Sequence, residues 1–397
     1  MDKLTQALHA YKAKRQASSL WRERVRYDAV PASRNFSSND YLALSTHPQV
    51  IAAFQQGLEK WGAGSGGSPL TTGYQAPHSA LEEQLCDWLG FESTLLFNSG
   101  YAANQGALQA LGKLGVRPIL DRLSHASLYS GALHALPVNQ PLLRFQHNDM
   151  GQLLQQLQNN HNHLANVIVS EGLFSMDGDS APFDALIALK QQQLQAGHNT
   201  LLFIDDAHGL ASLGTAGQGS LSLAQRQQTD FFSATFGKAL GCQGAFVASS
   251  KEWTNYFIQT AGEYIYSTAM PAAQACAVLA AIKLVRGSSE AESLQQRLAA
   301  KIEQFRALAA QHELSFMPSS SAIQPLVVGS AELALYLSQG LHQQGFTCVA
   351  IRPPTVPKGK ARLRFTITLH QTQNSMAQLF QVLETLMSHD SQTGAIC

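Results

Sequence analysis

The run Leu201-Leu202-Phe203-Ile204-Asp205-Asp206-Ala207-His208 sets four apolar residues directly before two carboxylates and an imidazole. A short apolar run reads as a buried strand, and the polar tail puts chemistry-bearing groups at its carboxyl end. Taken alone, an Asp in that position is equally a helix cap. The pattern recurs, however: V-I-V-S-E ends at Glu171, and D-F-F-S-A-T-F-G-K ends at Lys238. Further apolar runs at residues 94–97, 118–120, 167–170, 231–234 and 245–248 alternate with helical patterns. Strands separated by helices predict a largely parallel sheet in an α/β domain. Ligands bind outside the carboxyl ends of such strands, so the three polar tails are expected to converge.

The rest of the chain frames that domain. With 397 residues and 45% hydrophobic content, it can bury a large core. An N-terminal helical arm (1–45), a large domain (46–283) and a smaller α+β domain (284–397) are expected. Residues 1–26 carry Leu4, Leu8 and Tyr11 at helical spacing and a basic run through Arg15, Arg22, Arg24 and Arg26. Beyond residue 284, Leu294, Leu298, Ile302, Phe305 and Leu308 mark an amphipathic helix, followed by the strand-like A-I-Q-P-L-V-V and R-L-R-F-T-I-T. The Gln-rich pieces Q-L-L-Q-Q-L-Q-N-N and K-Q-Q-Q-L-Q keep leucines at helical spacing and read as surface helices. Basic and acidic residues both number 27, so no basic field for nucleic acid or acidic membranes is present and a small-molecule partner is favoured. The first ten residues lack the apolar segment of a signal peptide, and no apolar run approaches the ~20 residues of a membrane span; a cytoplasmic protein is expected. The five cysteines are scattered without metal or redox spacing and read as reduced, mostly buried thiols. No metal is expected. His161-Asn162-His163 has no third ligand nearby, and Asp177-Gly178-Asp179 is too short for a calcium loop and reads as a turn.

Lys238 and Asp205 together are more specific than either alone. An amine and a buried carboxylate on one sheet edge suit pyridoxal 5'-phosphate, which needs a lysine to hold it as a Schiff base and a carboxylate to keep its ring nitrogen protonated. Burial and neighbouring positive charge would lower the amine's pKa far enough for it to act as nucleophile or base. The dianionic phosphate calls for N–H donors at a helix start. Asn98-Ser99-Gly100-Tyr101-Ala102-Ala103-Asn104 follows a strand and opens a helical pattern, with Thr235 adding a hydroxyl. The glycine cluster G-A-G-S-G-G-S follows no strand and precedes no lysine, so a nucleotide P-loop is not supported; it reads as a mobile loop.

The segments F-S-S-N-D-Y-L, G-A-G-S-G-G-S, D-R-L-S-H-A-S-L, E-G-L-F-S-M-D-G-D, D-D-A-H-G, S-A-T-F-G-K-A-L-G and Y-S-T-A-M-P occur in this order. Together they resemble the α-oxoamine synthase family, pyridoxal phosphate enzymes of the aspartate-aminotransferase fold (fold type I). The resemblance implies Lys238 as the cofactor lysine, Asp205 at the ring nitrogen, His125 stacked on the ring, and His208 and Ser175 at the phenolic oxygen. It implies Gly100, Tyr101 and Thr235 at the phosphate, with Ser267 and Thr268 lent by a second subunit of a homodimer. Arg364, rather than Arg362 on the opposite strand face, matches the arginine for a substrate carboxylate, a group that suits a planar two-pronged donor. Asn39 matches a residue near the amino acid and Arg22 one at the acyl-chain carboxylate, while Glu171, placed near the site, and Thr355 count among the substrate-binding residues.

Within the family, S-A-I-Q-P-L, A-I-R-P-P-T-V-P and A-R-L-R-F-T resemble the branch that serves biotin biosynthesis. That branch condenses L-alanine with a pimeloyl thioester, on coenzyme A or acyl-carrier protein, with loss of carbon dioxide. Glycine with an acetyl or succinyl thioester, serine with a long acyl chain, and a catalytically inactive partner subunit are the other readings. Retention of Lys238, Asp205, His208 and His125 together argues against the last.

Overall fold

The computed structural model describes residues 2–27, 30–160, 163–287 and 293–393. They divide into two compact units, one formed by Asp40–Ser175 and Asp179–Gln296, the other by the described residues of Met1–Asn39, Met176–Gly178 and Arg297–Cys397.

The larger unit is built on seven strands: β1 (Ser93–Phe97), β2 (Val116–Asp121), β3 (Leu143–Phe145), β4 (Ala165–Glu171), β5 (Thr200–Asp205), β6 (Phe231–Thr235) and β7 (Ala245–Ser249). Their order is β1-β7-β6-β5-β4-β2-β3. All neighbours are parallel except β7, which runs against both β1 and β6. Every residue of β2, β4 and β7 is buried, which is why these strands read as continuous apolar runs rather than alternating ones. Six of the seven strands lie where the apolar runs predict. The seventh, β3, has three residues and only one of them buried, too short a run to register as a strand.

Helix Gly100–Lys113 presents Ala103, Gly106, Ala107 and Ala110 as buried residues, and this small-residue face lets it pack closely in the core with Leu108 and Leu111. Phe231 packs against Phe203, Trp253 and Phe257, at ring separations of 5.1–5.9 Å. A fully buried ring such as Phe231 or Phe257 contributes about 1.5–3 kcal/mol by leaving water, which fixes the start of β6 in the core. The Gln-rich segments form helices Met150–Gln158 and Phe183–Gln195.

The smaller unit has a three-stranded antiparallel sheet, with β8 (Ile323–Gly329) and β9 (Ala350–Ile351) flanking β10 (Ala361–Thr366). Phe36, Phe305, Phe365 and Phe380 form its aromatic core. Helix Leu294–Gln311 buries Leu298, Ile302 and Phe305 as its periodicity predicts. The N-terminal helix is shorter than expected. It runs from Lys3 to Ala17 and stops where Ser19 takes a left-handed conformation (φ 54°), leaving Arg22 to Arg26 in non-helical chain. Its Leu4, Leu8 and Tyr11 are exposed.

Among the described residues Cys86, Cys242, Cys276 and Cys348 are free thiols, and only Cys348 is fully buried; Cys397, like His161 and Asn162, lies outside the described residues. His163 meets the Arg117 guanidinium at 2.9 Å. No helix among the described residues is long and apolar enough to cross a membrane.

Candidate functional site

Parallel pairing aligns the strand ends. Glu171 of β4 stands opposite Asp205 of β5, and Asp205 stands opposite Ser233 of β6. Asp205 is buried; its Oδ2 accepts from Asn104 Nδ2 at 2.6 Å and its Oδ1 from the Ala207 N–H at 3.0 Å. Asn104 also donates to Ser127 Oγ (3.0 Å) and accepts from Ser233 Oγ (2.6 Å), so one buried amide ties three elements together.

Ser127 carries the network to His125. The imidazole Nδ1 lies 2.8 Å from Ser127 Oγ and accepts from the Ser127 N–H at 3.2 Å, capping helix Ala126–Ala135. A proton on Nδ1 would break that cap. Burial lowers the His125 pKa, and Lys238 adds to this against the opposing pull of Asp205, so the ring is neutral at pH 7. The His125 N–H donates to Glu171 Oε1 at 2.5 Å. Glu171 is itself pushed well above the usual carboxylate range, by burial first and then by Asp205, while Lys238 opposes both. His125, Glu171, Asp205 and Lys238 therefore share one electrostatic neighbourhood.

Lys238 is half-buried in the turn after β6, where its carbonyl accepts from Gly241 N–H (2.8 Å). On the same sheet edge His208 is buried, with Nδ1 2.5 Å from the Tyr41 hydroxyl. Ser175 is half-buried in the turn beyond β4. Asp206, next to Asp205, has a different part. It faces inward and accepts from the Ser220 N–H and hydroxyl, both at 2.7 Å. Glycine is required beside it, because a Cβ on Gly172 would lie 1.9 Å from Asp206 Oδ1.

At the far end of the cluster Ser99 caps helix Gly100–Lys113 by accepting from the Ala102 N–H. Gly100 is close enough that a Cβ there would sit 3.6 Å from Thr235 Cβ, which places the Thr235 side chain beside the helix start. Thr235 donates to Gly244 O (2.9 Å) and accepts from the Gly237 N–H (3.2 Å). Tyr101 is exposed, Ser267 half-buried and Thr268 exposed, with Thr268 O accepting from Asn98 Nδ2 at 2.6 Å. The glycine-rich loop is held to the same segment: Ser65 Oγ donates to Ala269 O, and Ala269 N–H to Gly67 O.

Within the smaller unit, Arg364 donates to Asn39 Oδ1 (3.1 Å) and Arg22 to Thr355 Oγ1 (3.3 Å). Arg362 is buried and structural rather than on the surface, donating to Met176 O and to the Asp177 carboxylate. Asp177 and Asp179 thus serve as ion-pair partners on a turn.

These groups fit pyridoxal phosphate. Asp205, buried at the end of β5 beside Glu171 and Lys238, offers a carboxylate that suits a protonated pyridine ring. A helix start bearing Gly100 and flanked by Thr235 offers N–H groups to a phosphate. Sequence reading gave Ser127 and Tyr41 no role and placed Asn104 only at the end of the phosphate-binding run, not beside Asp205. Asn104 had a usable signal, being a polar residue on an otherwise apolar helix face four residues after Gly100.

Asn104→Ala strips Asp205 and Ser233 of buried partners, at about 1–3 kcal/mol for each group left unsatisfied. A lower denaturation midpoint with an unchanged m-value is the expected result; an unchanged midpoint would show that the network carries no stability.

A mostly parallel sheet of this order with a lysine and a carboxylate on its carboxyl edge defines a fold-type-I pyridoxal phosphate enzyme. The family model for class I and II aminotransferases matches residues 33–383. The 8-amino-7-oxononanoate synthases of Cronobacter sakazakii and Klebsiella pneumoniae are 45% and 48% identical, over 93% and 89% of this chain and 95% and 89% of theirs. The serine palmitoyltransferase of S. paucimobilis, solved with a bound PLP–myriocin species, is 25% identical with a TM-score of 0.87, each chain being covered in full. The chain belongs to the class I and II aminotransferase family and, within it, to the 8-amino-7-oxononanoate synthases. It is an enzyme whose cofactor is pyridoxal phosphate.

Proposed function

We propose that the protein condenses L-alanine with a pimeloyl thioester, on coenzyme A or acyl-carrier protein, giving 8-amino-7-oxononanoate, carbon dioxide and free thiol for biotin biosynthesis. The observation that carries this reading is the buried Asp205–Asn104–Ser127–His125 network beside Glu171 and Lys238, in a chain 45–48% identical to named synthases of this reaction. Pyridoxal phosphate, when bound, supplies an electron sink for negative charge at the α-carbon of the amino acid.

The residues divide the remaining work. Lys238 would hold the cofactor and then move the α-proton. Asp205 would keep the ring nitrogen charged, His125 would cover the ring, and His208 and Ser175 would meet the phenolic oxygen. Gly100, Tyr101 and Thr235 would hold the phosphate, with Ser267 and Thr268 from the second subunit of a homodimer. Asn39, Glu171 and Arg364 receive the amino acid. The protein works in the cytoplasm.

For the acyl chain, three guanidiniums gather in the smaller unit. Arg352 donates to the carbonyls of Ser19 and Trp21, and its pKa is lowered by burial and by Arg22 and Arg15. Such mutual repulsion favours an anion, and the distal carboxylate of a pimeloyl chain is one. Arg22→Ala should raise KM for pimeloyl-coenzyme A about tenfold or more, as expected for loss of a charged hydrogen bond, and leave KM for alanine unchanged. With the distal carboxylate methylated, variant and wild type should converge. A tenfold difference that persists on the ester would remove Arg22 from this role.

The reaction itself is tested by product mass after mixing the holoenzyme with alanine, glycine or serine and pimeloyl-, acetyl-, succinyl- or palmitoyl-coenzyme A. Alanine with pimeloyl-coenzyme A should dominate. A preference for serine and palmitoyl-coenzyme A would overturn the reading.

A further inference from the structure

One charged cluster takes no part in the chemistry above, yet it joins the two loops that supply its groups. His147 follows β3 and lies between two carboxylates. Its Nδ1 is 3.1 Å from Asp121 Oδ1 and its Nε2 is 2.7 Å from Asp179 Oδ2. Phe174 packs its ring against the imidazole, with centroids 4.5 Å apart at 85°.

Each carboxylate anchors a loop. Asp121, fully buried at the end of β2, accepts from the Leu123 N–H (2.8 Å) and the Asn148 N–H (2.9 Å), while its carbonyl accepts from Ser124. It thereby shapes the turn that delivers His125. Asp179 closes the other turn, its carbonyl accepting from the Phe174 N–H at 2.8 Å; that turn carries Ser175. Both imidazole nitrogens meet carboxylates, so both act as donors and the ring is an imidazolium.

The charge matters as well as the bonds. Asp121 is one of the groups that raise the Glu171 pKa, and Glu171 accepts from the His125 N–H. A cation on His147 screens Asp121 from Glu171; a neutral residue there leaves a buried carboxylate uncompensated two contacts from the ring-stacking histidine.

We propose that His147 is a positioning residue of the reaction, a cationic clamp that fixes the His125 turn against the Ser175 turn. The proposal rests on the reading of this edge as a pyridoxal phosphate site. Burial opposes protonation of His147, but Asp121 and Asp179 outweigh it and raise its pKa to about 10. A raised folded pKa gives stability that is complete below the unfolded value of about 6.5 and lost as pH rises through about 10. Asp121 and Asp179 are the charged groups facing the ring.

The test compares His147→Gln with the wild-type holoenzyme. In the variant, kcat should fall about ten- to hundredfold, as for a small misplacement of catalytic groups, while KM for alanine changes little. The visible circular dichroism of the bound cofactor should change. The fall in thermal midpoint between pH 6.5 and 10 should disappear. A variant that is merely less stable, with wild-type kcat and cofactor dichroism, would overturn the proposal. If His147→Gln does not fold, Asp179→Asn decides by the same readouts: reduced kcat with altered dichroism upholds the clamp, and wild-type values for both refute it. Dichroism and the stability profile need no substrate, so they stand apart from failure of the proposed reaction, which shows as absence of product from the wild type.

Discussion

Lys238→Ala should lower turnover by about four orders of magnitude or more, because under the proposed function one substitution removes both the cofactor's covalent anchor and the group that moves the α-proton. General acid–base catalysis alone accounts for about 10²–10⁴-fold, and loss of covalent attachment adds to it. Reduction with borohydride should add the cofactor's mass to the wild-type chain and leave the variant unlabelled. The charge effects have definite signs. Lys238 lowers the pKa of both Glu171 and His125. Without the amine, Glu171 becomes harder to ionise and His125 easier to protonate, which weakens the cap on Ser127. Lys238→Arg separates the two contributions. It keeps a cation but supplies no base, since a guanidinium stays protonated throughout the accessible pH range; the local fields are retained while turnover stays low. A Lys238→Ala protein that is labelled by borohydride, or turns over within tenfold of wild type, would remove this lysine from the mechanism.

Local patterns carried most of the fold, for identifiable reasons. Strands β2, β4, β5, β6 and β7 lie inside the sheet and are almost wholly buried, so their apolar runs are unbroken and conspicuous; β3, at one edge with a single buried residue, sends no such signal. The N-terminal arm misled because helical spacing is visible in Leu4, Leu8 and Tyr11, whereas the left-handed turn at Ser19 that ends the helix has no sequence mark. Site residues were legible where the chemistry constrains the residue type, as with a lysine and a carboxylate at strand ends. Asn104 and Ser127 were harder to see because their function lies in mutual hydrogen bonds across 23 residues of sequence. His147 and Asp179 were obscure for the same reason. Only the parallel register of β2, β3 and β4 brings the loops after them to one place.

Asp205→Asn should lower kcat by about 10³-fold while leaving the fold and the covalent labelling of Lys238 intact. The side chains are nearly isosteric, so the sheet edge can keep its shape. What changes is charge, in a buried place where charge has large effects. A carboxylate at a ring nitrogen stabilises its protonated form, and an amide does not; one pKa unit corresponds to about 1.36 kcal/mol, so a three-unit loss would account for about 10³-fold in rate if it is felt fully in the transition state. The neighbours supply independent readouts. Asp205 raises the pKa of Glu171 and of His125, so in the variant Glu171 should ionise at lower pH and His125 should stay neutral to lower pH. The hydrogen bond from Asn104 to Oδ2 would then face an amide, and one terminal NH2 would confront another unless the new side chain turns its oxygen to Asn104 and its NH2 to the Ala207 N–H. Either orientation loses one bond. A drop of about 1–3 kcal/mol in unfolding free energy should therefore accompany the loss of rate. Asp205→Glu keeps the charge but lengthens the side chain against the same Asn104 and Ala207 donors. It should recover part of kcat without recovering stability. If the charge-conserving variant is as slow as Asp205→Asn while its cofactor absorbance matches wild type, placement of the carboxylate rather than its charge governs the rate, and the electrostatic account of Asp205 fails.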